Sequence, residues 1–101
     1  MAVAMEVLVA IAEPSRQRIL EVVRDRDCSV NELVERLGLP QPGVSRHLRV
    51  LRDAGLVEVT KDAQRRIYRL RPEPFAELDA WLAPYRRHWA ERLDALEDHL
   101  A

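Results

Sequence analysis

The sequence contains a single cysteine and no long hydrophobic run, so we expect neither an intrachain disulfide nor a membrane-spanning segment. Cys28 is the only cysteine, so no disulfide can form within the chain, and this fits a reducing cytoplasm. The longest wholly apolar run, Val7 to Ala12, is too short to cross a bilayer, and no charged segment precedes it as in a signal peptide. We therefore expect a cytoplasmic protein with no membrane partner.

The usual marks of an active site are also missing from the sequence. It holds no glycine-rich phosphate loop, no nucleophile motif and no carboxylate pair in an evident cleft. We expect neither an enzyme nor a bound cofactor. What is present is a chain of 101 residues, 48% of them hydrophobic, which is enough for one small domain with its own core.

Charge is distributed unevenly along the chain, although its formal sum is only −1. Residues 41–71 hold eight basic and three acidic side chains, a net charge of +5, whereas residues 1–40 carry −2 and residues 72–101 carry −4. One basic segment between two acidic ones predicts a single face turned toward a polyanion. The alternative, a solvated surface of mixed charge, accounts for the two ends better than for the middle.

The central stretch predicts two helices, 29–37 and 41–54, joined by a tight turn. Ser29 and Glu32 form a capping-box pattern at the first helix start, and Gly38 can adopt the left-handed conformation that ends it. Pro42 suits the first turn of the second helix. Polar residues on the outer side of such a short helix suit the major groove of DNA.

Two helices precede this pair and a hairpin follows it. A helix over residues 2–12 is apolar on almost every side, which in so small a protein implies a partner chain. A second helix is predicted over 14–25. Residues 56–70 contain two short β-rich segments that predict a hairpin, a wing that can lie along phosphates, with basic and polar side chains at Lys61, Gln64, Arg65 and Arg66. The alternative is a plain edge hairpin protected by its charges.

A last helix is predicted over residues 75–100, kinked at Pro84, where one backbone hydrogen bond is lost. Its apolar positions approach a heptad seam that needs a partner helix. We expect a homodimer through the N- and C-terminal helices, with an interface at Val3, Val7, Leu78, Leu82, Tyr85, Trp89, Leu93 and Leu96.

The segments AIAEPSRQRIL, ELVERLGLPQPGVSRHLRVLRDAGLVEV and RRIYRL together closely resemble the ArsR/SmtB family of bacterial winged-helix repressors. The resemblance implies a mostly α-helical winged helix-turn-helix with a small β-hairpin wing, a dimer that binds operator DNA and represses transcription. By position in the family motif it implies base reading by Gln41, Ser45 and Arg46, with His47 adjacent, and backbone contacts at Pro42 and Arg49. It names no inducer for this chain.

Many members of that family sense metals, but the corresponding positions here lack the ligands. Ser29 and Asn31 stand where the family has a Cys-x-Cys pair, so we expect no metal. His88 and Glu91 share one helical face and would supply only half of a tetrahedral site. Two alternatives stay open beside the DNA-binding repressor: a metal-responsive repressor, and a winged-helix module that binds an acidic protein partner without reading DNA.

Overall fold

A computed structural model describes residues 3–100, which form five helices and three short strands. In chain order the elements are α1 (Met5–Ala12), α2 (Pro14–Asp25), β1 (Cys28–Ser29), α3 (Val30–Leu37), α4 (Gln41–Asp53), β2 (Val57–Asp62), β3 (Arg65–Leu70) and α5 (Pro72–Leu100). The mostly helical fold with a β-hairpin wing is the one that the sequence predicts. None of the helices in this described part of the chain has the length and apolar character to span a membrane.

Capping residues define both ends of α3, the first helix of the helix-turn-helix. The Ser29 hydroxyl accepts a hydrogen bond from the backbone N–H of Glu32, and the Glu32 carboxylate accepts one from the backbone N–H of Ser29, which completes the capping box. Gly38 ends α3 with φ of 66°, a conformation that suits a residue without a Cβ. The capping box and Gly38 therefore set where α3 begins and ends.

The core joins both helices of this motif to the sheet. Leu33 of α3, Leu48 and Leu51 of α4, and Leu56 just before β2 are fully buried. Each such leucine contributes about 1.5–3 kcal/mol of hydrophobic stabilisation. Because Leu48 and Leu51 hold the inner side of α4 against the core, the outer side of the helix has a fixed orientation.

The sheet contains one strand that the sequence reasoning missed. The two-residue β1 pairs antiparallel with β3, placing Cys28 opposite Tyr68, and the strand order is β1-β3-β2. Periodicity cannot reveal so short a strand. Its consequence is that β3 is paired on both sides at Ile67 and Tyr68, so the middle of the wing is held against the start of α3.

Several boundaries differ from those predicted. Helix α1 begins at Met5 after an extended Ala4, while Ala2 lies outside the described residues. Helix α5 begins at Pro72, because proline is tolerated in a first helical turn. It continues through Pro84 without a break in the helical assignment. The kink expected at Pro84 stays a prediction.

Candidate nucleic-acid interface

A row of polar side chains occupies the outer side of α4. Gln41, Ser45 and Arg49 recur every fourth residue and so share one helical face. The Gln41 amide nitrogen donates to Ser45 Oγ at 3.4 Å. Arg46 is exposed one position along the helix, and Pro42 is exposed in its first turn. The row presents donors and acceptors suited to base edges.

A cleft of about 260 Å³ separates this row from β3 of the wing. It is lined by Val30, Gln41, Ser45, Arg49, Arg52, Arg66 and Tyr68. Three of these residues are arginines, and within the described part of the chain none of the three makes a side-chain hydrogen bond or ion pair. Positive charge from α4 and from β3 therefore meets in this cleft without an acidic partner among residues 3–100.

One face of the wing carries two cations, Lys61 and Arg66, whose side chains make no ion pair with residues 3–100. Lys61 lies directly opposite Arg66 in the β2–β3 ladder, so their side chains project from the same face as the neighbouring Tyr68. Like charges placed opposite each other destabilise a hairpin. An anion bound against this face would remove that repulsion.

The other face of the wing is balanced internally. Arg65 lies opposite Asp62, and Arg69 lies opposite Glu58 with 3.5 Å between the charged groups. Arg65 also donates a 2.7 Å hydrogen bond to Glu32. Arg65, expected at the DNA backbone, is therefore placed away from the cleft and already engaged. The alternation of side chains along a strand accounts for this difference between adjacent arginines.

Glu32 is the centre of the contacts that hold the wing to α3. Hydrogen bonds from the backbone and side chain of Ser29 lower the pKa of Glu32, and the nearby charges of Arg65 and Arg26 act in the same direction. The carboxylate therefore stays ionised at neutral pH, where it holds Arg65.

His47 and Gln64 are not brought to the cleft. The Nδ1 atom of His47 lies 3.3 Å from Nη1 of Arg16, and the ring is half-buried between α4 and the start of α2. Gln64 lines a separate small cleft that Ser29 and Asn31 also line. The residues expected at the interface thus divide between the cleft and its surroundings.

Three residues near the site escaped the sequence reasoning. Arg52 lies one turn beyond Arg49 on α4, so helical periodicity alone was enough to find it. Tyr68 shares a strand face with Arg66, and alternation along β3 gives the same result. Arg16 could not be found this way, because its role depends on a contact with His47, 31 positions away.

The predicted dimer residues fall into two groups. Val7 is only 5% exposed and Val3 packs against the same core, since this side of α1 faces the rest of its own protomer. The outward apolar side chains of α1 are instead Met5, Leu8 and Val9. On α5, Leu78 and Leu82 are half-buried, while the seam continues in exposed side chains at Tyr85, Trp89, Leu93 and Leu96.

His88 and Cys28 each make a hydrogen bond within the protomer. His88 Nε2 accepts a 3.1 Å hydrogen bond from Arg92, and residues 3–100 contain no group of three side chains able to hold a metal. Cys28 is fully buried, and burial raises the pKa of its thiol. A protonated, buried thiol is a poor nucleophile.

Together the fold and the site define a winged helix-turn-helix protein with a basic cleft between its second motif helix and its wing. The sequence profile of "Bacterial regulatory protein, arsR family" matches residues 13–59. The chain is similar to the HTH-type transcriptional regulator KmtR of Mycobacterium tuberculosis, at 42% identity over 73% of this chain and 57% of that protein. It is also 40% identical, over 87% of its length and 79% of the relative, to an uncharacterized HTH-type transcriptional regulator of the same species, MT0088.

Solved structures agree with these relatives. The crystal structure of a possible transcriptional regulator for arsenical resistance superposes with a TM-score of 0.71 at 34% identity, covering 95% of this chain and 97% of that one. The chain therefore belongs to the arsR family of bacterial regulatory proteins, which are not enzymes. It spans little more than half the length of KmtR.

Proposed function

We propose that this protein is a dimeric, sequence-specific DNA-binding regulator that represses transcription from an operator, in the bacterial cytoplasm. The observation that carries the proposal is the cleft in which Ser45, Arg49 and Arg52 of α4 meet Arg66 of β3. Polar groups suited to base edges lie there beside arginines that make no ion pair with residues 3–100 and are free to contact phosphates. Duplex DNA requires both, because phosphate contacts position a protein and base contacts specify the sequence.

Roles within the interface follow from placement. Gln41, Ser45 and Arg46 are the base readers, since they are the polar side chains of the first turns of α4. Pro42 and Gln64 are expected beside the DNA backbone. Arg49, Arg52, Lys61 and Arg66 are the phosphate contacts, and Arg65 contributes by holding the wing rather than by reaching the DNA.

A second copy of the chain is the other partner in this proposal. Four large apolar side chains of α5, namely Tyr85, Trp89, Leu93 and Leu96, are 52–62% exposed and follow a seam that fits another helix. The outward apolar residues of α1, Met5 and Val9, adjoin Val50 of α4 in a mostly apolar groove. Burying both surfaces in a homodimer removes them from water and fixes the spacing of two α4 helices.

The test compares duplex DNA from the protein's own promoter with a scrambled duplex in a gel-shift assay. Wild-type protein is expected to prefer the promoter, and Ser45→Ala is expected to lose roughly 1–3 kcal/mol of that preference, because a base contact is removed. Arg69→Ala, on the balanced face of the wing, is the matched control and should retain the preference. Equal binding of wild type to both duplexes would contradict the proposal.

The dimer is tested by Trp89→Ala combined with Leu93→Ala, measured by analytical ultracentrifugation. Both side chains are more than half exposed, so their removal should leave the protomer folded while weakening self-association. Glu91→Ala, on the same stretch of α5 but outside the seam, is the control. A double variant that stays as dimeric as wild type would exclude α5 as the dimerisation element.

A further inference from the structure

A junction of three side chains connects α1, the start of α2 and the recognition helix α4. Arg16 is at its centre. Its Nε donates to the carbonyl of Ala10 at 2.8 Å and its Nη2 to that of Val9 at 3.3 Å, so it caps the end of α1. Its remaining nitrogen, Nη1, reaches His47 Nδ1 at 3.3 Å. One guanidinium thus joins α1 to α4.

Only one tautomer of His47 can make this contact as a hydrogen bond. A guanidinium can only donate, so Nδ1 is the acceptor in this hydrogen bond, and the tautomer that makes it carries its proton on Nε2. Glu13 Oε2 is 3.8 Å from the same nitrogen, too long for a hydrogen bond, and Glu13 is itself engaged by the backbone N–H of Arg16 at 2.8 Å. At this junction His47 therefore contacts Arg16 through its Nδ1 atom.

The direction of His47 separates it from the residues that face the cleft. At about 100° per residue, His47 lies roughly 200° around α4 from Ser45. It shares its side of the helix with Val50, which lines the apolar groove together with Met5 and Val9 of α1. The side of α4 that carries His47 thus faces α1.

We infer that His47 is a positioning residue, which holds the recognition helix in register with α1 through Arg16 instead of reading a base. The inference rests on the proposed DNA-binding function and deepens it. The outward side of α1 carries exposed apolar residues that a second copy would cover. The Arg16–His47 contact then couples the position of α1 to the orientation of the base-reading face of α4.

Two substitutions of His47 separate positioning from base reading. His47→Asn keeps an acceptor at the place of Nδ1, whereas His47→Gln places its polar atoms near Nε2. The probe is a duplex selected from a random-sequence pool by the wild-type protein. We expect His47→Asn to bind it within about twofold of wild type, and His47→Gln and His47→Ala to bind roughly tenfold more weakly.

A double-mutant cycle with Arg16→Ala supplies the second readout. Because His47 acts through Arg16, the two losses in affinity should not add, and the double variant should bind about as well as the weaker single variant. Gln17→Ala is the matched control, since Gln17 also caps α1, through the Ile11 carbonyl at 2.8 Å, and has no hydrogen bond or ion pair to α4 among the described residues. It should leave affinity near that of wild type. Thermal unfolding of each variant verifies its fold, and the Asn/Gln comparison stands even where Arg16→Ala unfolds.

The inference is overturned if His47→Gln binds like wild type while His47→Asn does not, or if the Arg16 and His47 losses add fully. It is equally overturned if selection repeated with His47→Ala yields a changed base preference at one position. A wild-type protein that selects no sequence would overturn the proposed function itself, and the inference with it.

Discussion

Arg65 of the wing donates a 2.7 Å hydrogen bond to Oε1 of Glu32, the third residue of α3, and so couples the hairpin to the cap of the helix-turn-helix. The same carboxylate accepts from the backbone N–H of Ser29 and lies 3.4 Å from Arg26. A single acidic side chain therefore fixes the start of α3 and the position of the wing at once.

Stability should depend on pH through this carboxylate. The pKa of Glu32 is lowered in the folded protein, so its contribution to stability is fully present above the ordinary Glu pKa of about 4.3 and is lost as pH falls through the folded value. Glu32→Gln should be less stable than wild type at neutral pH, and the difference should shrink in acid. Urea unfolding across a pH series measures this. Glu35→Gln, exposed on the same helix, should track wild type, and a Glu32→Gln curve parallel to wild type at every pH would refute the assignment.

The wing turn should be improved by glycine. Ala63 begins the two-residue loop between β2 and β3 with φ of 57°, the only positive φ outside glycine among the described residues. A side chain in this region costs about 1–2 kcal/mol, partly offset by the greater unfolded entropy of glycine. Ala63→Gly should therefore raise the free energy of unfolding by roughly 0.5–1 kcal/mol. Gln64→Gly, without a positive φ to relieve, should give no gain in the same thermal or urea unfolding assay.

How much of this the sequence could predict follows from the range of each interaction. The caps at Ser29 and Gly38 and the inward face of α4 depend on neighbours within one or two helical turns, so patterns reveal them. Strand register determines that Arg65 binds Glu32 whereas Arg66 lines the cleft. The role of Arg16 depends on its contact with His47, which is distant in the sequence. Patterns of residues close together in the sequence cannot predict such contacts.

Cys28 should be chemically inert in the folded protein. Its side chain is fully buried opposite Tyr68, and burial raises the pKa of the thiol, which keeps it protonated. An aromatic disulfide reagent should react slowly with the native protein and rapidly after denaturation. Cys28→Ala should leave operator binding unchanged under oxidising and reducing conditions alike. Fast labelling of the native protein, or binding that an oxidant abolishes only when Cys28 is present, would show that the Cys28 thiol is accessible and reactive.

The salt dependence of DNA binding should identify the face that docks. With about six to ten phosphate contacts per dimer, a plot of log K against log salt should have a slope near −5 to −9. Arg66→Ala should reduce the steepness by roughly two, because it removes one contact from each protomer. Arg69→Ala should leave the slope unchanged, since Arg69 is paired with Glu58 on the opposite face of the wing. If Arg69→Ala flattens the slope and Arg66→Ala does not, the wing docks through its other face.

We expect two recognition helices, held by one dimer, to read one operator. The measurement is a selection of duplexes from a random-sequence pool with the full chain, followed by alignment of the enriched sequences. The expected result is an inverted repeat whose half-sites lie about 10–11 base pairs apart, centre to centre, because two α4 helices would enter successive major grooves about 34 Å apart. An enriched single half-site without a symmetric partner, or no enrichment at all, would contradict it.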